Sequence, residues 1–376
     1  MIIGVLKEIK AEENRVSMTP SGVEVLVHSG HRVLVEQGAG VGSDFDDAQY
    51  AHAGAELVSI PAAIYAQAEM VMHVKEPLPP EYELIREGQV LFTYFHFAAS
   101  EELTRAMLAR RAVCIAYETI TDQQGALPLL TPMSEIAGRM AAQEAAKYLE
   151  RGQGGRGILM GGVPGVTPAT VLVLGGGTVG AEAARVACGL GAMVFLLDTS
   201  LPRLRHLAEI MPKNCIPLMS SPATIRELAP KADAIIGAVL VPGAKAPRLI
   251  SRDLLASMKK GAVLVDVAID QGGCFETSRP TTHDQPVFEI DGILHYCVAN
   301  MPGAVPLTST LALTNATLPY ALTLAKKGWQ RAALDDAGIG RGINMAAGRI
   351  TCQGVAEAFG LPHCPLETVL GRERTV

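Results

Sequence analysis

The chain has 376 residues, of which 49% are hydrophobic and 19% charged, and its formal net charge is −6. A chain of this length exceeds one ordinary core, so two domains are expected, and the composition is far from that of a disordered protein. The negative charge and the lack of a basic run argue against a nucleic-acid partner. Every long apolar stretch is interrupted by a charge, Gly or Pro, which argues against a membrane partner.

The N-terminus and the cysteines both favour a cytoplasmic protein. The segment 1–8 is typical of a short strand and lacks the charged, apolar and small-residue regions of a signal peptide. The seven cysteines are scattered and form no CxxC pair, which indicates neither a zinc site nor a disulfide framework. We therefore expect reduced thiols, a cytoplasmic location and no bound metal.

The first ~125 residues alternate short apolar runs with amphipathic segments, a pattern typical of parallel α/β units. Strands are predicted at 2–6, 32–36, 70–74, 90–95 and 113–117, and helices at 20–28, 62–67 and 100–110.

A long helix is then predicted from Pro132 to about residue 150, with Thr131 as its N-cap and Pro132 at its first position. The glycine-rich segment 152–165 follows. No regular element tolerates that glycine density, so we expect a loop across the boundary between two domains.

A second series of apolar runs follows at 171–174, 193–197, 234–237 and 263–267. These runs are continuous rather than alternating, which indicates strands covered on both faces of a doubly wound sheet. After Asn300 the pattern becomes helical, at 307–327, 329–336 and 345–359, and we expect this tail to complete the first domain. The second domain is then an insertion.

The strongest local signal is a glycine loop between an apolar strand and a helix. Gly175, Gly177 and Gly180 satisfy G-x-G-x-x-G. The first glycine permits a tight turn, the second lets the backbone approach a pyrophosphate, and the third lets the helix pack on the strand. The N–H groups and the dipole at the start of that helix favour phosphate charge. The loop therefore predicts a dinucleotide site and a Rossmann-like domain.

Asp198 ends the next apolar run, 18 residues after Gly180. A carboxylate there accepts both ribose hydroxyls and repels a 2′-phosphate, which favours NAD over NADP. Arg203 and Arg205 follow closely and temper that preference, although both also suit a position beside the adenine ribose of NAD.

Two basic residues of the first domain are candidates for substrate binding. Arg15, in a polar loop after the first strand, suits a bidentate clamp on a carboxylate, or else is a surface arginine paired with Glu12 or Glu13. Lys75 ends an apolar run, where ligands collect in open α/β sheets, or else is a solvated lysine.

Three further polar residues stand at strand ends. His96 follows an aromatic run and is either a proton carrier or a hydrogen-bonded core histidine, the reading also given to His73. Asp270 follows a strand of the second domain, whereas Asp266 inside that strand suits a structural acid. Asn300 lies where the chain leaves the second domain and suits contact with substrate or nicotinamide.

Together these segments resemble the bacterial alanine dehydrogenases, within the alanine dehydrogenase and transhydrogenase alpha-subunit family, over nearly the whole chain. Several motifs in the same order are more specific than any one of them. The matching segments are 4–10, 13–20, 74–77, 92–98, 132–139, 161–166, the glycine loop, 265–273 and 300–306.

The resemblance implies two Rossmann-like doubly wound domains, with an NAD-binding domain (129–305) inserted into a substrate domain (1–128 plus 306–376). It implies that Arg15, Lys75 and Asn300 bind substrate, that His96 and Asp270 form an acid–base pair, and that the chain is a homohexamer. The implied cofactor contacts are Ser134, Gly175, Gly177, Thr178, Val179, Gly180, Asp198, Arg203, Ser220, Val239, Leu240, Ile269, Arg279, Val298 and Met301.

The reaction implied is the reversible oxidation of L-alanine by NAD⁺ to pyruvate and ammonium. The alternatives are an NAD(H)-binding transhydrogenase-like module, a saccharopine-type amino-acid dehydrogenase, and an NAD-binding regulator without activity. NADH formation from L-alanine separates the last of these from the enzymes.

Overall fold

The structure is a computed structural model that describes residues 1–239 and 246–371. It divides into two compact units: unit 1 comprises Met1–Met133 and Val305–Val376, and unit 2 comprises Ser134–Ala304. Leu240, predicted to contact the cofactor, lies outside the described residues.

The strands of the described residues are, in chain order, β1 (Ile2–Val5), β2 (Arg32–Glu36), β3 (Glu56–Val58), β4 (Met70–Met72), β5 (Val90–Thr93), β6 (Val113–Ala116), β7 (Thr170–Leu174), β8 (Met193–Asp198), β9 (Cys215–Met219), β10 (Ala234–Gly237), β11 (Val263–Asp266), β12 (Val287–Ile290), β13 (Ile293–Tyr296), β14 (Ile343–Ala346) and β15 (Arg349–Ile350).

The helices are α1 (Pro20–His28), α2 (Asp47–His52), α3 (Pro61–Gln67), α4 (Pro79–Tyr82), α5 (Glu101–Arg110), α6 (Thr131–Tyr148), α7 (Thr178–Gly189), α8 (Leu201–Ile210), α9 (Pro222–Leu228), α10 (Arg252–Ala256), α11 (Pro306–Lys327), α12 (Trp329–Asp335), α13 (Ala337–Gly342), α14 (Gln353–Phe359) and α15 (Leu366–Val369). Among the described residues, no helix has the length and apolarity needed to cross a bilayer.

Unit 1 is built on a sheet with the strand order β15-β14-β6-β5-β4-β1-β2-β3. The strands β3, β2, β1, β4, β5 and β6 are parallel, whereas β14 and β15 are antiparallel. All residues of β4, β5 and β6 are buried, as their continuous apolarity predicts. The strand order reverses beside β1, so the crevice at the carboxyl ends of β1 and β4 is the expected place for a ligand.

Unit 2 has a sheet with the order β12-β13-β11-β10-β7-β8-β9. Its strands are parallel except β12, which is antiparallel to β13. The order reverses beside β7, whose carboxyl end carries the glycine loop. The predicted α/β class with two doubly wound, Rossmann-like sheets is confirmed.

Three predictions about local structure are wrong. Segment 345–359 is not one helix, because Ala347 and Gly348 have φ of 52° and 71° and turn the chain from β14 into β15 before α14 begins. The glycine-rich loop 152–165 lies inside unit 2 rather than across the boundary. Thr131 is the first helical residue, and its hydroxyl donates to Leu127 O instead of capping α6.

Several strands were not predicted from sequence. The strands β3 and β9 lie at the edges of their sheets, and Pro217 interrupts the apolar pattern of β9, a residue that edge strands tolerate. The hairpin β12–β13 turns at Asp291 and Gly292, which both have positive φ. An Asp-Gly pair is a strong hairpin signal, so this turn was recognisable in the sequence.

Candidate active site

Arg15 is buried in the loop after β1, with 3% of its surface exposed, so it is not the surface arginine that the sequence left open. Its Nε and Nη2 donate to the two carboxylate oxygens of Glu13 at 2.6 and 2.5 Å, and Nη1 donates to Met133 Sδ at 3.2 Å. Burial opposes charge on both partners. The hydrogen bonds and opposite charges that Arg15 and Glu13 share outweigh this effect of burial. The pKa of Arg15 is therefore raised and the pKa of Glu13 is lowered. The guanidinium is therefore held as a fixed cation.

Helix α11 anchors this loop. Val16 N–H donates to Thr310 Oγ1 and Thr19 N–H to Thr314 Oγ1, both at 3.1 Å. Ser43 bridges Thr310 and the carbonyl of Asn14. The Arg15 loop thus depends on a helix that begins almost 300 residues later in the chain.

Lys75 lies just beyond the carboxyl end of β4 and is half-buried. Its backbone N–H faces Glu8 Oε2 at 3.4 Å, and its carbonyl accepts from Thr93 Oγ1 at 2.8 Å. Within the described part of the chain, its ammonium forms no hydrogen bond or ion pair. Burial and the charge of Arg15 lower its pKa, although Glu76 and Glu13 offset part of that effect.

His96 follows β5 and is exposed, so it is not a core histidine. Its backbone is left-handed, with φ 49°, and its N–H donates to Glu118 Oε1 at 2.7 Å. The imidazole is stacked on Tyr94, with the ring centroids 5.9 Å apart and the planes 4° from parallel. His73, by contrast, is buried and hydrogen-bonded, as predicted for a core histidine.

Arg15, Lys75 and His96 therefore follow β1, β4 and β5, which are neighbours in the sheet and parallel. The carboxyl ends of parallel strands lie on one side of a sheet, which places these three residues on the same side of unit 1, near the point where the strand order reverses. A buried guanidinium and an ammonium are suited to bind a substrate carrying a carboxylate and a second oxygen, and the exposed imidazole is suited to move protons.

In unit 2 the glycine loop joins β7 to α7. Gly175 has φ 98°, and a Cβ there would meet Ala238 O at 2.6 Å. A Cβ on Gly180 would collide with the carbonyl oxygen of Gly175, which explains why α7 packs so closely on β7. A Cβ on Gly177, at the N-cap of α7, would meet nothing within 4 Å. Gly177 therefore opens space before the helix rather than relieving a contact within the protein.

Asp198 ends β8 and fixes the glycine loop. Its Oδ2 accepts from Gly176 N–H at 2.8 Å, and its Oδ1 accepts from Ser200 N–H at 2.7 Å. The carbonyl of Gly176 accepts from Arg203 Nε at 2.6 Å. Asp198 and Arg203, both predicted cofactor contacts, thus hold the same residue, Gly176, through its N–H and its carbonyl. Ser220 N–H donates to Asp198 O at 2.9 Å.

Other predicted cofactor positions also follow strands at this edge of the sheet. Val239 follows β10, and its Cγ2 would lie 3.1 Å from a Cβ at Gly175. Ile269 follows β11, and Val298 and Met301 follow β13, all three buried. Arg279 is exposed, with its guanidinium 4.4 Å from the ring centroid of Phe288.

Ser134 reaches the same region through α6. A Cβ on Gly138, one turn later, would collide with the carbonyl oxygen of Val179, so α6 packs directly on the start of α7. Residues four apart share a helix face, which turns Ser134 toward the side of α6 that meets α7. Thr178 and Val179 form the first turn of α7, and Thr178 is exposed.

Asp266 is a structural acid, as predicted. It is fully buried and accepts from the N–H groups of Ala268 and Cys274 at 3.1 and 2.8 Å and from Ser278 Oγ. Burial raises its pKa, and these hydrogen bonds offset part of the rise. Asp266 thereby shapes the loop that carries Asp270, which is exposed in the 3-10 turn Ile269–Gln271.

Asn300 is a second non-glycine residue with positive φ at a predicted site, at 96°. Its carbonyl accepts from His283 Nε2 at 3.0 Å and from Gly303 N–H at 2.9 Å. These contacts hold the strained backbone in the turn after β13.

Unit 2 fits a dinucleotide on its own geometry. The space in front of Gly177 and the first turn of a 12-residue helix suit a pyrophosphate. A carboxylate has about four lone-pair positions, so Asp198 still has the capacity to accept from ribose hydroxyls after its two backbone contacts.

Two family models together cover almost the whole sequence. The model described as "Alanine dehydrogenase/PNT, N-terminal domain" matches residues 4–137, and "Alanine dehydrogenase/PNT, C-terminal domain" matches residues 141–353. The chain belongs to the alanine dehydrogenase/PNT family. The resemblance read from the motifs is confirmed.

Individual members of the alanine dehydrogenase/PNT family align over the full length. An alanine dehydrogenase of Halomonas elongata is 54% identical over 371 residues, covering 99% of this chain and 100% of that protein. A solved L-alanine dehydrogenase structure is 49% identical, with a TM-score of 0.93, covering 96% of this chain and 99% of its own. A transhydrogenase from Sinorhizobium meliloti is 26% identical, with a TM-score of 0.79, covering 94% and 99%.

Sequence reasoning missed the acids that orient the site in this family member. Glu8 and Glu118 were not singled out, and Glu13 was considered as a surface partner of Arg15. Each accepts hydrogen bonds from a functional residue or its backbone. Glu8 and Glu118 each follow a predicted strand closely, and this position could have marked them as candidates. The sequence does not show which neighbouring strand end such a glutamate binds.

Proposed function

We propose that the protein catalyses the reversible oxidative deamination of L-alanine, in which L-alanine, NAD⁺ and water give pyruvate, ammonium, NADH and a proton. This is the activity of an alanine dehydrogenase, an oxidoreductase. The observation that carries the proposal is Lys75. Its ammonium lies beyond the carboxyl end of the central strand β4 and donates no hydrogen bond to any described residue. The charge of the buried Arg15 acts on it.

Unit 1 is the substrate domain in this proposal. Arg15, oriented by Glu13, binds the substrate carboxylate, and Lys75 donates to the oxygen that develops on the α-carbon. Two fixed cations suit pyruvate, which has a carboxylate and a carbonyl oxygen. Asn300 of unit 2 is proposed as a further substrate contact through its amide.

Unit 2 is proposed as the NAD-binding domain. The backbone around Gly175, Gly177, Thr178, Val179 and Gly180 would hold the pyrophosphate. Asp198 would accept the ribose hydroxyls, and it disfavours the 2′-phosphate of NADP. The remaining proposed contacts are Ser134, Arg203, Ser220, Val239, Leu240, Ile269, Arg279, Val298 and Met301.

NAD⁺, when bound, supplies the acceptor for the hydride that leaves the α-carbon of alanine. The substrate is then an iminium ion. His96 takes a proton from water as its oxygen adds to that carbon, and Lys75 stabilises the oxygen of the carbinolamine. His96 returns the proton to the amine as ammonia leaves, and the carbinolamine hydroxyl releases its proton to solvent as it becomes the keto oxygen of pyruvate. Asp270 is proposed to orient water or ammonia and to balance the positive charge.

We also propose a cytoplasmic homohexamer. The seven cysteines are free thiols in the structure, which suits a reducing compartment. The hexamer comes from the resemblance alone. Light scattering after size-exclusion chromatography tests it, and a mass other than six chains rejects it.

The deciding experiment follows absorbance of the reduced cofactor with a panel of amino acids, including L-alanine, glycine and L-serine, each with NAD⁺ and with NADP⁺. We expect L-alanine with NAD⁺ to give the highest kcat/KM, about tenfold or more above NADP⁺. Lys75→Gln is expected to lower kcat/KM for L-alanine by about 100-fold. The exposed Lys7→Gln, which follows the neighbouring strand β1, is the matched control.

The same assay separates the alternatives. Hydride exchange between NADH and an oxidised NAD analogue, with no turnover of alanine, would favour a transhydrogenase-like module, for which the 26% identity to the transhydrogenase structure is the motive. Turnover of a larger amino acid but not alanine would favour a saccharopine-type enzyme. NADH binding with no turnover would favour a regulator.

A further inference from the structure

The backbone next to Lys75 contacts a cluster of ionisable side chains that the proposed mechanism does not use. His73 Nδ1 lies 3.3 Å from Glu8 Oε1, and His73 Nε2 lies 3.5 Å from Glu81 Oε1. The hydroxyl of Tyr65 lies 3.1 Å from His73 Nε2 and donates to Glu81 Oε1 at 3.0 Å. All four residues are buried. We call them the Glu8–His73 cluster.

Carboxylates lie on both sides of the His73 ring. Burial alone would lower the pKa of His73, but the hydrogen bond to Glu8 and the charges of Glu8, Glu81 and Glu36 outweigh it, so the pKa is raised. The two neighbouring carboxylates thus favour the protonated form of His73. Burying ions is expensive, and apolar residues of the same volume often give equal or greater stability. Stability alone is therefore a weak reason for such a cluster.

Glu8 links the cluster to Lys75. Its Oε1, which faces His73, also accepts from Val74 N–H at 2.6 Å, and its Oε2 faces Lys75 N–H at 3.4 Å. The carboxylate thus faces two consecutive backbone N–H groups just after the end of β4. Neither Tyr65 nor Glu81 contacts that backbone within the described residues; Glu81 instead accepts from Leu78 N–H at 2.8 Å.

The other side of this backbone is also fixed. Thr93 Oγ1 donates to the carbonyl of Lys75 at 2.8 Å, and Ser17 Oγ donates to the carbonyl of Met72 at 3.1 Å. Glu8 thus supplies the acceptors for the N–H groups of Val74 and Lys75, and the two hydroxyls supply donors for the carbonyls of Met72 and Lys75. The adjacent β5 segment accepts from His73 N–H and donates to the carbonyl of Val74. The direction in which the Lys75 side chain leaves the sheet is set by these contacts.

We propose that Glu8 is a positioning residue for substrate binding, which fixes the backbone of residues 73–75 so that the Lys75 ammonium meets the keto oxygen of pyruvate. Glu8 does this through its own contacts with the N–H groups of Val74 and Lys75. Tyr65 and Glu81 lie at the other ring nitrogen of His73 and have no part in placing Lys75. This inference rests on the proposed function, and it adds a role for a residue that touches neither substrate nor cofactor.

The test compares Glu8→Gln with Glu81→Gln in the full-length enzyme. In Glu8→Gln one carboxylate oxygen becomes an NH₂ group, so the side chain keeps a single acceptor oxygen for the N–H groups of Val74 and Lys75 and loses its negative charge. Glu81→Gln perturbs the same histidine but leaves the Lys75 backbone alone, and a glutamine still caps α4. Both variants are measured for KM of pyruvate, KM of NADH, kcat and thermal unfolding midpoint.

We expect Glu8→Gln to raise KM for pyruvate about tenfold, because a small displacement of a binding group weakens its contact, with KM for NADH unchanged. Glu81→Gln is expected to lower the unfolding midpoint yet keep KM for pyruvate within about twofold. If Glu8→Gln does not fold, Glu8→Asp replaces it. Its shorter carboxylate keeps charge beside His73 but loses reach to Val74, so KM for pyruvate should again rise.

Wild-type KM for pyruvate in a folded Glu8 variant would overturn the positioning role. An equal rise in Glu81→Gln would overturn it too, because the cluster would then act only as structural support. A wild-type protein that turns over neither alanine nor pyruvate would reject the proposed function and this inference together. An active wild type with an equally active Glu8→Gln would reject this inference alone.

Discussion

The carboxylate of Glu118, which follows β6, accepts the backbone N–H of His96 at 2.7 Å. Both of its oxygens also face Phe95 N–H at 3.3 Å. His96 has φ 49°, a conformation that costs free energy for a residue with a side chain and persists where its surroundings hold it. Glu118 therefore holds the proposed proton carrier in an unfavourable backbone conformation, while Tyr94 stacks on its ring.

Glu118→Gln is expected to lower kcat about tenfold in both directions, equivalent to ~1.4 kcal/mol in the barrier, because the charged acceptor for His96 N–H is lost. Steady-state kinetics with alanine and with pyruvate measures this change. Glu101→Gln is the matched control, since Glu101 is an exposed acid paired with Arg105 on the next helix. Equal kcat in Glu118→Gln and Glu101→Gln would contradict the role of Glu118.

Pyruvate binding is expected to be lost at alkaline pH as Lys75 loses its proton, and we call the pH of this loss the alkaline limit. The pKa of Lys75 lies below the ordinary 10.5, chiefly through burial and Arg15, with Glu76 raising it and Lys10 lowering it. Binding that needs the ammonium is present below the lowered pKa and lost as pH rises through it. Log(1/KM) for pyruvate should therefore fall at a pH below 10.5.

Two substitutions should move that limit in opposite directions. Glu76→Gln removes a neighbouring negative charge and should shift it to lower pH, whereas Lys10→Gln should shift it to higher pH. Salt should shrink both shifts, because Lys10 and Glu76 are partly exposed. Shifts of the same sign in the two variants would show that another group sets the limit.

Gly177→Ala and Gly180→Ala should have different consequences. Gly177 has φ −65° and open space at its Cβ position, so alanine should leave the thermal unfolding midpoint unchanged. It should nevertheless raise KM for NAD⁺ about tenfold, because the methyl group occupies the space proposed for the pyrophosphate.

Gly180→Ala places a methyl group against the carbonyl oxygen of Gly175 and should destabilise unit 2 by about 1–3 kcal/mol. Differential scanning calorimetry and NAD⁺ titrations separate the two effects. If Gly177→Ala bound NAD⁺ as wild type does, the pyrophosphate would not lie at the start of α7.

His73 should make stability depend on pH. Its pKa is raised above 6.5 by Glu8, Glu81 and Glu36, so its contribution is complete below pH 6.5 and is lost as pH rises through the raised value. The difference in unfolding midpoint between wild type and His73→Gln should therefore be largest at pH 6 and decline toward alkaline pH. A constant difference across that range would show that His73 is neutral in the folded protein.

Much of the fold was predictable because both sheets are mainly parallel and their central strands are buried. Strands such as β4, β5 and β10 are short continuous apolar runs, which the sequence displays directly. The hairpin β14–β15 was not predicted, because its pairing with β6 depends on residues more than 200 positions away. Local pattern cannot show such a partner.

The sequence predicted the candidate site of unit 2 more fully than that of unit 1. The glycine loop of unit 2 is a contiguous motif, whereas Arg15, Lys75 and His96 were weak candidates until the family resemblance grouped them. The sequence did not indicate that Arg15 is buried or that His96 is exposed. Those properties arise from the packing of Glu13, Glu118 and α11 around separate strand ends.

The discontinuity of unit 1 has a consequence for biosynthesis. The strands of unit 2 lie between residues 170 and 296, so its sheet can pair while the ribosome is still translating the tail. Unit 1 leaves β6 as an open edge, and the Arg15 loop without its anchors, until α11 and β14 emerge. Residues 1–133 therefore keep a row of unpaired N–H and C=O groups at the edge of β6 until the last ~70 residues are synthesised. A protein truncated before α11 should therefore aggregate rather than fold into an enzyme of lower activity.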